Sequence, residues 1–133
     1  MEAERGTGPD GLPVLAFGSG KSWDGWLSAH AGVGGAWLML GKKGCREPSV
    51  SYREAVDVAL CHGWIDGQIR GCDEQYYLQR FTPRRPRSNW TPGTCARAQQ
   101  LADAGRMHPA GLAAMEQAKA AGRWHLATPD AGG

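Results

Sequence analysis

The chain is poor in phenylalanine and tyrosine, and neither sign of charge dominates it. Two Phe and three Tyr stand against six Trp, and 15 Lys and Arg against 13 Asp and Glu give a net charge of +2. So small a net charge excludes a protein that binds polyanions through bulk charge alone. The composition therefore disfavours nucleic acid as a partner.

Long apolar runs are also missing. The longest candidate, Ala36–Leu40, has the length of a strand, whereas a membrane span needs roughly 20 apolar residues. The first residues, Met1–Arg5, are rich in glutamate, whereas a secretory signal begins with a basic stretch followed by an apolar one. We therefore expect a cytoplasmic protein with no membrane partner.

Cysteine pairs at metal-binding spacing are absent. Structural zinc sites commonly use C-x2-C pairs, and this sequence contains none. In a cytoplasmic setting, cysteines stay reduced. We therefore predict free thiols, no metal site and no other cofactor. The four cysteines are Cys45, Cys61, Cys72 and Cys95.

A short glycine-containing segment, Gly18–Ser22, resembles a phosphate-binding loop but is incomplete. The full pattern requires a glycine where this chain has Leu15. A loop followed by a helix that begins at Trp23, capped by Ser22, is the favoured interpretation.

The remaining pattern predicts one α+β domain over residues 14–126, between a flexible arm at 1–13 and a flexible tail at 127–133. Its sheet is small and antiparallel, with about four helices packed on one side. Proline at the first helical position, as at Pro92 and Pro109, and the S-x-x-E capping box at Ser51 mark the later helix starts. Beyond the helix at Trp23, the predicted elements are an edge strand at 13–17, a buried strand at 36–40, a helix from 52 to about 62, a hairpin of 64–70 with 75–81, and helices at 92–104 and 109–121.

The two hairpin strands have one apolar and one mixed side. Because strand side chains alternate, Ile65, Ile69 and Leu78 share one side, which we expect to pack against the helices. The other side combines aromatic, acidic, basic and amide residues and is expected to be open to water. With a loop at 71–74, its members are Trp64, Asp66, Gln68, Arg70, Gln75, Tyr77, Gln79 and Phe81.

A stiff basic segment follows the hairpin. Arginine forks bind carboxylates and phosphates, and aromatic rings stack on planar molecules, so the segment suits an anionic or flat organic ligand. The same features suit single-stranded nucleic acid, and a solvated loop that pairs with the protein's own acids is a further interpretation. The predicted ligand-binding residues are Trp64, Tyr77, Phe81, Arg80, Arg84, Arg85, Arg87, Asn89 and Trp90.

Asp66 is the candidate catalytic residue, since a carboxylate on an aromatic surface can act as an acid or base. The favoured interpretation of Asp66 is that it pairs with a nearby arginine or binds backbone donors. Cys61 beside His62 is better explained as a buried small residue than as a nucleophile. The helices at 92–104 and 109–121 resemble a helix-turn-helix, but the second offers only Gln117 and Lys119 to read bases, which favours helix packing.

The run from Tyr52 to Gly67, with Cys61-His-Gly-Trp-Ile-Asp66, and the run Arg80-Phe-Thr-Pro-Arg84 to Asn89-Trp90 resemble the YdeI/OmpD-associated family, also called bacteriocin-protection proteins. The resemblance covers about residues 14–124 and is carried further by Gly122-Arg-Trp124. It departs from the family at His62, where an aromatic residue is usual, and it corresponds to the N-terminal part of family members only. It implies an α+β fold, a cytoplasmic setting and an association with tolerance of antimicrobial compounds.

These observations predict a protein that binds a small flat or anionic organic molecule, with antimicrobial tolerance or self-resistance as the expected role. One alternative is an enzyme that acts on a secondary metabolite by hydrolysis, ring opening or rearrangement, with Asp66 as acid or base. A second alternative is single-stranded nucleic-acid binding. A homodimer is compatible with the sequence.

Overall fold

A computed structural model describes residues 4–45, 47, 49–86 and 88–125 of the 133-residue chain. These residues form two compact units. Unit 1 contains the described residues up to Ala59 together with Ile65–Pro83, and unit 2 contains Leu60–Trp64 and the described residues from Arg84 onward. In chain order the elements are β1 (Glu4–Thr7), β2 (Pro13–Leu15), α1 (Gly20–Ala29), β3 (Ala36–Gly41), α2 (Tyr52–Cys61), β4 (Trp64–Gly71), β5 (Tyr76–Pro83), α3 (Pro92–Asp103) and α4 (Pro109–Ala120).

The five strands form one sheet in the order β1-β2-β3-β5-β4. The predicted α+β class and the four helices are confirmed. The sheet is mixed rather than antiparallel, because β2 and β3 run parallel, with Val14 opposite Trp37. The central pair, β3 and β5, is antiparallel, with Trp37 opposite Arg80 and Met39 opposite Leu78. None of the helices in the described part of the chain has the length and apolarity that a membrane span requires.

The N-terminal segment is part of the sheet, which corrects the prediction of a flexible arm for its described residues. Glu4–Thr7 pairs with β2, so β2 is an inner strand and not the predicted edge. The following loop is closed by a 2.7 Å hydrogen bond from Gly8 N to Leu12 O. Glycine and proline content predicted disorder here, but pairing with an existing sheet edge outweighs the backbone entropy of so short a segment.

Helix α1 begins earlier than predicted and explains why Gly18–Ser22 is no phosphate loop. Ser19, not Ser22, is the N-cap, and its Oγ accepts a 3.3 Å bond from Ser22 N. The carboxylate of Glu54 lies beside Gly20, where an added Cβ would be 2.5 Å from Glu54 Oε2. An anionic side chain at a helix N-terminus is favourable there. The protein's own carboxylate therefore lies beside the first turn of α1.

Trp23 of α1 is the centre of the core of unit 1. Its side chain is completely buried, with ring centroids 5.9 Å from Phe17 and 5.5 Å from Phe81. Its indole Nε1 donates a 3.1 Å hydrogen bond to Ala55 O of α2. The predicted capping box is present in half, since Ser51 Oγ accepts from Glu54 N at 3.1 Å. Helices α1 and α2 are therefore joined through one large side chain that also packs on β5.

The helices of unit 1 pack on the side of the hairpin that the sequence predicted to be open. Phe81 and Gln79 are 0% and 1% exposed, whereas Ile69, on the predicted core side, is 66% exposed. The strand bounds and the hydrogen bond from Arg84 N to Gly63 O define which residues of β4 and β5 face each other. Each residue of β4 faces a residue of β5 that lies two positions later in the sequence than predicted. A shift of two keeps every residue on its predicted side. The error is therefore in which side the helices cover, since Leu78 on the predicted core side is also buried, in a cluster with Val14 and Trp37.

In unit 2, α3 and α4 both contribute residues to one hydrophobic core. Thr91 caps α3, and Thr94 N donates to its Oγ1 at 3.1 Å. Gly111 of α4 lies against the Cys61 carbonyl so closely that an added Cβ would overlap it. Buried Leu101, Met115 and other residues make up the core. Its buried members are Leu60, Cys61, Trp90, Cys95, Ala98, Leu101, Met115 and Ala118.

Candidate functional site

Most of the predicted stacking residues are buried. Phe81 in unit 1 is 0% exposed, and Trp64 and Trp90 in unit 2 are 5% and 4% exposed. Tyr77 alone among the four is half-exposed. Trp90 packs against Trp124, with centroids 5.4 Å apart. These three buried rings therefore serve as core residues and offer little surface to a ligand.

The predicted arginines that the structure describes contact different residues and do not form one group. Arg80, on the other side of the sheet, donates from Nε to Asp10 Oδ2 at 2.8 Å. In unit 2 the guanidinium of Arg84 lies 4.2 Å from the centre of the Trp90 ring and donates to Asn89 O at 2.7 Å.

Arg85 is exposed, and its backbone N donates to Ser88 Oγ at 2.7 Å. Arg87 lies outside the described residues. Two of the three described arginines thus make contacts within their own unit.

A polar group with aromatic neighbours remains on unit 1, which we call the Asp66 cluster (Tyr52, Asp66, Tyr77 and Gln79). Tyr52, at the start of α2, donates from its hydroxyl to Asp66 Oδ2 at 2.8 Å. Asp66 is half-buried and Tyr52 is 46% exposed. The strand pairing puts Asp66, Tyr77 and Gln79 on one side of the sheet. The capping box, by fixing where α2 begins, also fixes where Tyr52 lies.

The surroundings of Tyr52, which include the Asp66 carboxylate, raise the pKa of its hydroxyl. Partial burial, then the hydrogen bond to Asp66 and the negative charge of that carboxylate, raise the pKa of Tyr52 to about 12. Tyr52 therefore stays a neutral donor throughout the physiological range and holds one oxygen of the carboxylate in place. The other oxygen, Asp66 Oδ1, has no hydrogen-bond partner among the described residues.

Gln79 supplies a second acceptor. Its side chain is 1% exposed, and Nε2 donates to Gly67 O at 2.8 Å and to Gln68 O at 3.3 Å. These contacts with carbonyl oxygens fix which end of the amide is the nitrogen. Gln79 Oε1 is buried and has no partner in the described part of the chain. A buried acceptor without a donor costs about 1–3 kcal/mol, so it marks a place where a ligand donor or a water would be stabilising.

Sequence reasoning placed Asp66 and Tyr77 in the site but assigned no role to Tyr52 or Gln79. Aromatic residues at helical spacing usually face a core, so the sequence pattern places Tyr52 on the apolar side of its helix and not in the site. Gln79 was on the correct side of the strand, and an amide among aromatic neighbours was the signal that could have identified it. Its missing partner depends on tertiary packing.

Unit 2 contains a second notable pair. The rings of His62 and His108 stack with centroids 3.9 Å apart and planes 19° apart. His62 is 7% exposed, and the preceding residue, Cys61, is 3% exposed. The Cys61 carbonyl accepts from His108 N at 3.0 Å. A buried thiol at this packed position agrees with a structural role for Cys61. No disulfide forms among the four cysteines, all of which lie in the described segments.

Comparison with known proteins assigns a family without a function. No curated protein and no solved structure matches the chain. The resemblance to the YdeI/OmpD-associated family is not tested by these comparisons and stays an expectation. Residues 15–114 match the model of a domain of unknown function, DUF8412. Because that match covers most of the 133 residues, the chain belongs to the DUF8412 family.

Proposed function

We propose that unit 1 binds a small, flat organic molecule that carries N–H donors, and that the Asp66 cluster is its binding site. One observation carries the proposal: the buried Gln79 Oε1 has no donor among the described residues, and it lies on the sheet side that also presents the half-exposed Asp66. The half-exposed carboxylate of Asp66 and the buried oxygen of Gln79 are both acceptors on the same side of the sheet, and acceptors suit a ligand with an amine, amidine or amide group. The half-exposed ring of Tyr77 offers a flat surface for stacking.

The proposed charge of the ligand differs from the first expectation. The anionic ligand depended on arginines, but Arg80 is bound to Asp10 and Arg84 is stacked on Trp90. A carboxylate with one oxygen held by Tyr52 instead favours a donor-bearing or cationic group. If the bound molecule is toxic, its sequestration would give the antimicrobial tolerance that the YdeI/OmpD resemblance implies.

The test compares two probes of similar shape and opposite charge. Benzamidine is a flat amidinium, and benzoate is a flat carboxylate. We expect benzamidine, and not benzoate, to raise the melting temperature. At a hundredfold excess over the dissociation constant, a ligand adds about 2.7 kcal/mol of stability.

Asp66→Asn and Gln79→Met should each weaken benzamidine binding, roughly tenfold for the charged contact. Glu74→Gln, at the exposed hairpin loop, is the matched control and should bind normally. Equal stabilisation by benzoate, or unchanged binding by both cluster variants, would refute the proposal.

An enzyme is the second candidate, and the 2.8 Å bond that orients the Asp66 carboxylate favours it. A general acid or base must be held in a fixed direction, and its contribution is typically 10²-fold or more. The test requires an identified substrate. Asp66→Asn should then abolish turnover. Tyr52→Phe should lower turnover and leave substrate binding nearly intact. Single-stranded nucleic-acid binding has less support, because the rings of Trp64, Phe81 and Trp90 are buried and not available to bases.

A further inference from the structure

Strand β4 is an edge of the sheet, and its second half is uncovered. It has β5 on one side and no strand of the described chain on the other. Residues 67–71 are all exposed, including the large apolar side chain of Ile69 at 66%. Long exposed edges with apolar side chains invite pairing with another strand. The question is which strand fits.

The backbone groups that face outward can be identified. Gly63 O accepts from Arg84 N, so alternate residues after Gly63 point their N–H and C=O groups toward β5. Those of Asp66, Gln68 and Arg70 therefore point away from the sheet. In the described part of the chain, only the Gln68 carbonyl among them accepts a further hydrogen bond, the long 3.3 Å contact from Gln79, and a carbonyl can accept twice.

The segment Asp66-Gly67-Gln68-Ile69-Arg70 is complementary to itself when two copies run antiparallel. If Gln68 lies opposite Gln68 of the second copy, each Asp66 lies opposite an Arg70. On the other side of the ribbon each Ile69 lies opposite a Gly67, where no side chain competes for space. A shift of two residues in either direction would remove both charge pairs. Charge therefore selects one register among those that the backbone allows.

We propose that the chain forms a symmetric dimer through β4, with the two strands antiparallel and centred on Gln68. Such an interface is isologous, so each favourable contact occurs twice. Asp66 keeps its bond to Tyr52 through Oδ2 and accepts from Arg70 of the second copy through Oδ1. The partner and the proposed ligand would compete for that oxygen, but the dimer does not depend on the ligand.

Charge reversal tests the register directly. Sedimentation of the full chain without ligand should show a concentration-dependent dimer. Arg70→Glu places two carboxylates opposite each other, and Asp66→Lys places two cations opposite each other, so each variant alone should dissociate at least about tenfold more easily. An equal mixture of the two variants restores both opposite-charge pairs and should form the heterodimer.

Lys43→Glu, a cation reversal in the turn after β3, which β5 separates from β4 in the sheet, is the matched control and should dimerise like the original chain. Circular dichroism and melting curves confirm that each variant is folded. A chain that stays monomeric to about 1 mM, a dimer that Arg70→Glu leaves intact, or a mixture that fails to associate would each overturn the proposal. Benzamidine binding by Arg70→Glu tests the ligand site separately, since Arg70 is not part of it.

Discussion

The indole Nε1 of Trp37 donates a 2.8 Å hydrogen bond to Asp10 Oδ1, which fixes the loop after β1 to the central strand β3. The second carboxylate oxygen accepts from Arg80 Nε at 2.8 Å. Gly8 lies so close to the Trp37 ring that an added Cβ would be 2.6 Å from it. One acidic side chain thus connects the N-terminal segment to two neighbouring strands.

Acid should weaken unit 1 through Asp10. The hydrogen bond from Trp37, and then that from Arg80, lower the pKa of Asp10 from 3.8 to about 2. A lowered pKa contributes stability that is present above 3.8 and lost as the pH falls through about 2. In urea titrations across this range, Asp10→Asn should be less stable than the original chain at pH 7, and the difference should shrink toward pH 2. Glu74→Gln should show no such convergence.

Trp23→Phe should cost unit 1 about 2–4 kcal/mol of unfolding free energy. The smaller ring leaves a void beside Phe81 and leaves the Ala55 carbonyl without its donor. Trp26→Phe is the control, because the ring centroids of Trp26 and Trp23 are 5.9 Å apart but Trp26 is only half-buried. Chemical denaturation of Trp26→Phe should show a loss below about 1.5 kcal/mol. Equal losses in the two variants would contradict the central role of Trp23.

Gly111→Ala should destabilise unit 2 by about 3 kcal/mol, because the new methyl group would overlap the Cys61 carbonyl and lie 2.7 Å from Met107 Sδ. A flexible side chain could relieve such an overlap by changing its rotamer, but a backbone carbonyl cannot. Gly93→Ala in α3 is the control, since its nearest neighbour would be Thr91 Oγ1 at 4.0 Å. Thermal melting should show Gly93→Ala unchanged or slightly stabilised. A tolerated Gly111→Ala would mean that the two backbones are less tightly packed.

Arg84→Gln should cost about 1–2 kcal/mol, since it removes the cation from the Trp90 ring and the bond to Asn89 O. Arg85→Gln changes an exposed neighbour of the same type and should stay within about 0.5 kcal/mol. Denaturation of the two variants in parallel separates them. If Arg85→Gln were the more damaging change, the basic loop would depend on contacts other than the Arg84–Trp90 stack.

Features that depend on only a few adjacent residues could be predicted from the sequence. The starts of α3 and α4 follow from Pro92 and Pro109 at the first helical position, and Ser51 fixes the start of α2. Strand β3 follows from its unbroken apolar run. In each case the physical cause, a cap or a fixed backbone angle, acts within one turn of chain.

Features that depend on distant parts of the chain could not be predicted in this way. The side of the hairpin that the helices cover depends on Trp23 meeting Phe81, and both sides carry large apolar residues. Arg80 was assigned to a ligand because its partner, Asp10, lies 70 residues away in sequence. The parallel pairing of β2 with β3 depends on the crossover through α1 that connects them. Only part of the Asp66 cluster could be predicted from the sequence, because tertiary packing brings Tyr52 to Asp66.

The pairing of β3 with β5 has a consequence during synthesis on the ribosome. Ala36–Gly41 emerges well before Tyr76–Pro83, because α2 and β4 are made in between. Until β5 arrives, an apolar strand that ends up almost wholly buried has one unoccupied edge. Nascent chains halted before β5 should therefore aggregate or recruit chaperones, whereas chains halted after Pro83 should not.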